Sequence, residues 1–319
     1  MKTERTDAPQ AITPSAKERQ TGLYSPRTLQ KVLGGLHRDG LVVLKDVIDV
    51  KHVDALNEAM CVDAERWIAD PTQVFNHEIR SNFLQRPLVN NPEHLHDDIY
   101  FNSFLLQVAN AYLGHVPIWN WLTSNTALAN TSGLRQNVHK DSSFDHPSCP
   151  YYFIANVPLC DFSAENGATE FWLGSHANTT FDDQMEATAE QRVSLNFFRY
   201  GDRIPWVTEE AKEARRAVRP PVQPVVSRGD IMIRDLRTWH AGMPNNSGQH
   251  RIMLGLGYQS PVHPNYGQRM HLPVSQQEFF LAGARGRVEV RANFYSDEEF
   301  EKTKADNLFD IRPQYGDDS

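Results

Sequence analysis

Cysteine is scarce in this 319-residue chain, with only Cys61, Cys149 and Cys160. So few and so scattered, they exclude a disulfide framework or a zinc ribbon and read as buried thiols in a reducing compartment. No apolar run approaches the roughly eighteen residues of a membrane-spanning helix. The first twenty residues contain no apolar stretch, so they do not read as a secretory signal, and the terminal Asp-Asp-Ser is not a peroxisomal address. The expectation is a cytoplasmic protein with no membrane partner. Basic residues are also short: 32 Lys and Arg face 40 Asp and Glu, giving a net charge of −8. That leaves no footprint for a nucleic-acid backbone. Neither internal repeats nor low-complexity tracts occur.

What is present suffices for a large core. Hydrophobic residues make up 40% of the chain and charged ones 23%, with six Trp, ten Tyr and sixteen Phe, a balance that disordered chains lack. Residues 1–22 read as a flexible tail. The segment SPRTLQKVLGGLHRDG predicts a helix capped by Ser25 and stopped at Gly40, and 41–48 predicts a strand. Residues 50–70 and roughly 102–113 predict further helices.

From Pro117 onward the texture changes to short β-prone runs, among them IWNWLTSNTALAN, YYFIANVPLC, ATEFWLGS, QPVVS, DIMIRDL and RIMLGLGYQ, separated by Gly, Pro, Asn and Ser. Short strands without alternating helices favour a jelly roll, sandwich or barrel over a parallel doubly wound sheet. The expected organisation is one domain over 23–296, mainly β with N-terminal helices, carrying a polar insertion at about 176–222. A C-terminal extension follows over 297–319.

Four His-x-Asp triplets occur: His37 with Asp39, His52 with Asp54, His96 with Asp98 and His139 with Asp141. With 13 histidines, roughly one is expected by chance, so context must discriminate. Within a helix, residues two apart point away from each other, which removes His52 and Asp54. The pairs at 37 and 96 read as solvated turns. His139 and Asp141 lie at the rim of the β-rich region, where positions i and i+2 share a face.

A third ligand is then needed, and His240 in GDIMIRDLRTWHAGMPNNSGQHRIMLGLGYQ is the candidate. In that segment two turns bracket a strand and a returning antiparallel partner opened by Arg251. Met253, Gly255 and Gly257 should share the face of Arg251, leaving a cavity beside a guanidinium suited to a carboxylate. Two histidines and one carboxylate form a facial set that leaves metal positions open for a cosubstrate and dioxygen. A dicarboxylate chelating iron at one end and meeting Arg251 at the other is what 2-oxoglutarate provides. The same three ligands also suit zinc, so hydrolysis stays open at this point.

The stretch QNVHKD, the segment ENGATEFWLGSH (165–176) and a His followed eleven residues later by Arg resemble the phytanoyl-CoA dioxygenase family over about residues 25–262. Most similar in motif spelling are fungal natural-product members. The resemblance implies a double-stranded β-helix, a cupin-like jelly roll, and Fe(II)/2-oxoglutarate chemistry with O2. It places iron on His139, Asp141 and His240 and the cosubstrate carboxylate on Arg251. By analogy with several fungal members, Gln136 and Thr169 hold the cosubstrate as well. Asp141 stands where related halogenases carry Gly or Ala, which favours hydroxylation, desaturation or rearrangement over halogenation.

A lipophilic natural product is the expected substrate. An acyl-CoA 2-hydroxylase and a non-catalytic metal-binding protein of the same fold are the alternatives, and a homodimer is plausible by family. Trp119, Trp121, Phe144 and Trp239 are candidate walls of a substrate pocket, although each also reads as core. His250 should face away from Arg251 and is read as structural.

Overall fold

A computed structural model of the chain describes residues 8–76, 79–188, 203–303 and 310–315. The first element is a strand, β1 (Gln10–Ile12), followed by α1 (Ala16–Thr21), α2 (Pro26–Asp39), β2 (Leu41–Leu44) and α3 (Val50–Ile68). Then come β3 (Asn82–Gln85), the short α4 (Asp97–Tyr100) and α5 (Ser103–Leu113). The remaining strands are β4 (Ile118–Ala127), β5 (Tyr152–Pro158), β6 (Glu170–Phe171), β7 (Ile231–Asp235), β8 (His240–Ala241), β9 (Arg251–Gln259), β10 (Met270–Pro273), β11 (Glu289–Val290) and β12 (Ala292–Tyr295). Helix α6 (Glu209–Val218) precedes β7, α7 (Gln277–Gly283) follows β10, and α8 (Asp297–Lys302) follows β12.

Eight strands form the major sheet in the order β1-β2-β7-β5-β9-β4-β11, with β3 also paired to β4. Strand alternation sorts its two faces. Outward, Phe153, Ala155, Val157, Ile231, Ile233, Ile252, Leu254 and Leu256 join Val32, Leu36, Val53, Leu56, Leu105 and Val108 of the helices in one core. Inward, Met232 packs with Phe162 and Phe171, and Ile154 with Tyr152 and Phe144. Both faces of β5 are therefore covered, and all seven of its residues are buried.

Opposite lies a second layer assembled from fragments. Its pairings run from Gln184 to Val207, Trp206 to His139, His139 to His240, then through β8 and β6 to Phe171 with Val222. Two facing layers of this kind, with helices on the outer face of the larger, are the expected jelly roll.

Several expectations need correction. Residues 10–21 are not a loose tail: β1 runs parallel beside β2, with Ile12 opposite Leu44. Ser15 and Glu18 cap each other's backbone at the start of α1, and Gly22 closes that helix at φ 68°. Glu18 also accepts from the Ser25 amide, so local hydrogen bonds order a segment whose composition looked merely polar. Residues 1–7 lie outside the described set.

β9 does not return against β7, because β5 sits between them and pairs antiparallel with both. The chain leaves β7, crosses to the second layer at β8, and comes back. QPVVS forms no named strand and contributes only the Val226 bridge to Phe162. The insertion at 176–222 supplies the Gln184 and Trp206–Val207 fragments of the second layer, while its residues 189–202 lie outside those described. In the C-terminal extension, α8 packs Phe300 into the main core and Ile311 is buried; 304–309 and 316–319 are outside the described residues.

Candidate metal centre

His139 and His240 face each other across an antiparallel pair whose amides exchange both hydrogen bonds at 2.9 Å. That register puts the two imidazoles side by side, with ring centroids 4.2 Å apart. Behind His139 the insertion completes the backbone, since Lys140 N donates to Pro205 and Val207 N to Val138. Asp141, two residues on, reaches the same place: its Oδ1 is 3.6 Å from Nε2 of each histidine. Ligand atoms of the three all lie within 4.8 Å of one another, and this is the metal-competent group found among the described residues.

Tautomers follow from the partners. His139 Nδ1 lies 2.8 Å from the Asn137 carbonyl, and His240 Nδ1 lies 3.1 Å from that of Thr238. A carbonyl only accepts, so each Nδ1 carries a proton and each Nε2 offers its lone pair toward Asp141. Burial, reinforced by His240, pushes the His139 pKa down to about 3 against the pull of Asp141, which keeps the ring neutral at physiological pH. Burial works to raise the Asp141 pKa, but Arg234 and the two imidazoles outweigh it and hold the carboxyl well below its usual range.

Arg251 opens β9 opposite Ala127 and is 2% exposed. Its guanidinium carbon stands 4.6 Å over the Phe162 ring. Among the described residues no hydrogen-bond partner meets its Nε or Nη1, and burial lowers its pKa to about 10. An unpaired buried cation is costly unless a ligand completes it. The expected hollow beside the two glycines is partly filled. A side chain at Gly257 would meet the Tyr152 hydroxyl and the Trp121 Cβ, and one at Gly255 the Trp121 ring at 3.1 Å.

Gln136 is buried with both ends engaged: Oε1 accepts from the Gly242 amide at 2.8 Å, and Nε2 donates to Asn82 Oδ1 at 3.0 Å. One lone pair and one N–H remain for a ligand. A side chain at position 242 would come within 2.6 Å of Gln136 Oε1, so only glycine lets the amide sit there. Thr169 is buried immediately before β6.

Other sequence candidates resolve differently. Trp119 faces outward into the helical core and stacks on Tyr258, so it walls no inner pocket. Trp121 and Phe144 belong to the inner cluster, whereas Trp239 packs with Trp172 and donates to Thr179. Asp39 is no solvated turn residue: it is fully buried between Arg38 and Arg219. His52 pairs with Asp98 rather than Asp54, and its ring stacks on His96 at 3.7 Å, so two triplets read as unrelated meet in space. His250 accepts from the Ala129 amide and lies 2.8 Å from Glu65, a structural role.

Sequence reasoning missed Arg234, Asn82 and Trp206. A signal existed for Arg234 alone, an Arg inside the apolar run IMIRDL, on the strand parity of Met232.

Among the described residues no helix is long and apolar enough to cross a membrane. Two similar solved structures share the architecture. The epimerase SnoN in complex with Fe3+, alpha ketoglutarate and nogalamycin RO aligns at 18% identity and TM-score 0.54 over 92% of this chain and 98% of its own. EctD from S. alaskensis with 2-oxoglutarate and 5-hydroxyectoine aligns at 18% identity and TM-score 0.50, over 82% of this chain and 81% of its own. At sequence level the model of the phytanoyl-CoA dioxygenase (PhyH) family matches residues 36–253, a span that runs from α2 into β9 and takes in His139, Asp141, His240 and Arg251. The chain belongs to the phytanoyl-CoA dioxygenase family.

Proposed function

We propose that this protein is an iron(II)- and 2-oxoglutarate-dependent dioxygenase that hydroxylates, desaturates or rearranges a small lipophilic natural product while 2-oxoglutarate is decarboxylated to succinate. His139, Asp141 and His240 would hold the iron; Arg251, Gln136 and Thr169 would hold the cosubstrate. Two neutral imidazole nitrogens and one carboxylate suit iron(II) and leave positions open for other ligands. The observation that carries the reading is Arg251, a buried guanidinium with two donor nitrogens unpartnered among the described residues, on the sheet face opposite the ligand set.

Iron, 2-oxoglutarate and dioxygen together supply the oxidation of an unactivated C–H bond; the protein supplies placement and dryness. Arg251 offers the distal carboxylate of the cosubstrate a two-pronged partner. Gln136, pinned by Gly242 and Asn82, presents its remaining polar capacity in a fixed direction. Carbonyls of Asn137 and Thr238 keep both imidazoles turned with Nε2 toward Asp141. Trp121, Phe144, Tyr152 and Ile154 line the inner face with apolar surface that excludes water. A small natural product as substrate is supported by the two neighbours, whose structures hold 5-hydroxyectoine and nogalamycin RO; its lipophilic character is supported by the apolar inner face alone. That SnoN is an epimerase supports keeping rearrangement alongside hydroxylation.

The test is anaerobic loading with iron(II) and 2-oxoglutarate, reading the visible charge-transfer band of a 2-oxo acid chelated to iron. The wild type should show the band, and Arg251→Ala should need at least about tenfold more cosubstrate to reach it. Absence of the band at saturating cosubstrate would overturn the reading and move the search to hydrolysis or metal storage.

A further inference from the structure

Arg234 reaches the ligand set from the major sheet. It is 4% exposed, donates Nη2 to Asp141 Oδ2 at 2.5 Å, and places Nη1 3.5 Å from His240 Nδ1. Because that Nδ1 already gives its proton to Thr238, the second contact is proximity rather than a hydrogen bond. The two oxygens of Asp141 are thus unequal. Oδ2 is taken by the guanidinium, while Oδ1 stands equidistant from both histidine Nε2 atoms.

We propose that Arg234 is a positioning residue with two effects: it makes Asp141 a one-oxygen ligand, and it cancels the carboxylate's charge so that a cation's full charge is left to attract an anionic cosubstrate. This inference rests on the reading of the centre as an iron and 2-oxo acid site. A carboxylate with both oxygens open can chelate and take up a second metal position, one that a bidentate 2-oxo acid requires. The guanidinium on Oδ2 prevents this. In charge terms, three ligands carrying −1 beside an arginine carrying +1 sum to zero. A divalent ion then presents +2 to a dianion instead of +1.

Removing the guanidinium has opposite consequences for the two ligands. The cation loses a nearby like charge and gains a second carboxylate oxygen, so it binds at least as tightly. The cosubstrate loses attraction and a coordination position, so it binds more weakly. A purely structural arginine would, on removal, weaken both together.

The experiment uses the full chain under anaerobic conditions. Iron(II) affinity is measured by competition with a chromogenic chelator, and 2-oxoglutarate affinity by titrating the charge-transfer band, in wild type, R234Q, R234K and R234M. In R234Q, iron(II) affinity should be unchanged or higher while 2-oxoglutarate affinity falls about tenfold. R234K, keeping the charge without the fork, should recover most of that loss. R234M fills a similar volume without a polar head and carries the same expectation as R234Q if that variant does not fold. Parallel weakening of both ligands, or unchanged cosubstrate affinity in R234Q and R234M, would overturn the proposal. A wild type that binds iron but shows no band would instead overturn the cosubstrate reading.

Discussion

The two layers of this jelly roll are built on different physics. The major sheet has strands of up to ten residues, is apolar on its outer face, and is locked to the helices by a continuous core. The layer facing it has two named strands of two residues each and otherwise single bridges. Its buried residues include the polar groups His139, Lys140, His240, Thr169 and Gln136, and among the described residues no continuous apolar core like that of the outer face backs them. Apolar burial is non-directional, so a long regular sheet covered by helices needs no particular polar partner on that face. Polar burial needs each donor and acceptor met, so the second layer depends on specific ties. The molecule thus separates a scaffold from a site that the scaffold holds in place.

Breaking the second layer at its ligands should have the largest effect on activity and little on the fold. His139→Ala or Asp141→Ala should reduce turnover by at least about a thousandfold, checked by succinate release, with the thermal transition of metal-free His139→Ala within a few degrees of wild type. Breaking the scaffold should do the reverse. Ile233 is fully buried in the outer core, and Ile233→Ala should cost about 2–5 kcal/mol in urea unfolding. At permissive temperature its cosubstrate affinity should stay near that of wild type. Should these two kinds of variant behave alike, the division into scaffold and site is wrong.

Metal should sharpen the contrast. Iron(II) at a hundred times its dissociation constant should raise stability by about 2.7 kcal/mol through mass action. Hydrogen exchange should slow most at the reciprocal amides of His139 and His240 and least along β5, which is already covered on both faces. Uniform slowing across both layers would count against a locally completed site.

Legibility in the sequence followed the same division. Helices α2, α3 and α5 and strands β4, β5, β7 and β9 were readable because periodicity and Gly or Pro punctuation report apolar burial directly. His139, Asp141 and His240 were separated from three other triplets by strand context, although what brings His139 beside His240 is a single bridge between residues 101 positions apart. Long-range pairing leaves no local mark. For that reason the order of β5 between β7 and β9, the meeting of His52 with His96 and Asp98, and the Asn82 tie to Gln136 were invisible. The capped α1 was hidden for another reason, since Ser15, Glu18 and Ser25 look like any polar tail until their hydrogen bonds are counted.

The smallest expected effect concerns Lys140, which lies between two proposed ligands yet points away from them. Its Nζ is fully buried and contacts Thr180 O at 2.6 Å, His146 Nε2 at 2.9 Å and Thr179 Oγ1 at 3.3 Å. His146 Nδ1 lies 3.0 Å from the Pro147 carbonyl and so carries the proton, which makes Nε2 an acceptor. Three acceptors favour an ammonium, but burial wins and lowers the Lys140 pKa to about 7 from 10.5. The unfolded chain binds this proton up to its ordinary pKa, and the folded chain releases it earlier. Between about pH 7 and 10.5 the unfolded state therefore holds more protons, and the contribution of this residue to stability rises with pH, falling again as pH drops toward 7. Denaturant unfolding at pH 7 and pH 9 should show wild type gaining about 2 kcal/mol more than Lys140→Met over that interval. The second layer would then carry a pH dependence of its own through Lys140. Parallel pH curves for the two proteins would mean that the three acceptors keep the ammonium charged, and that even the fully buried polar ties of this layer are met without a ligand.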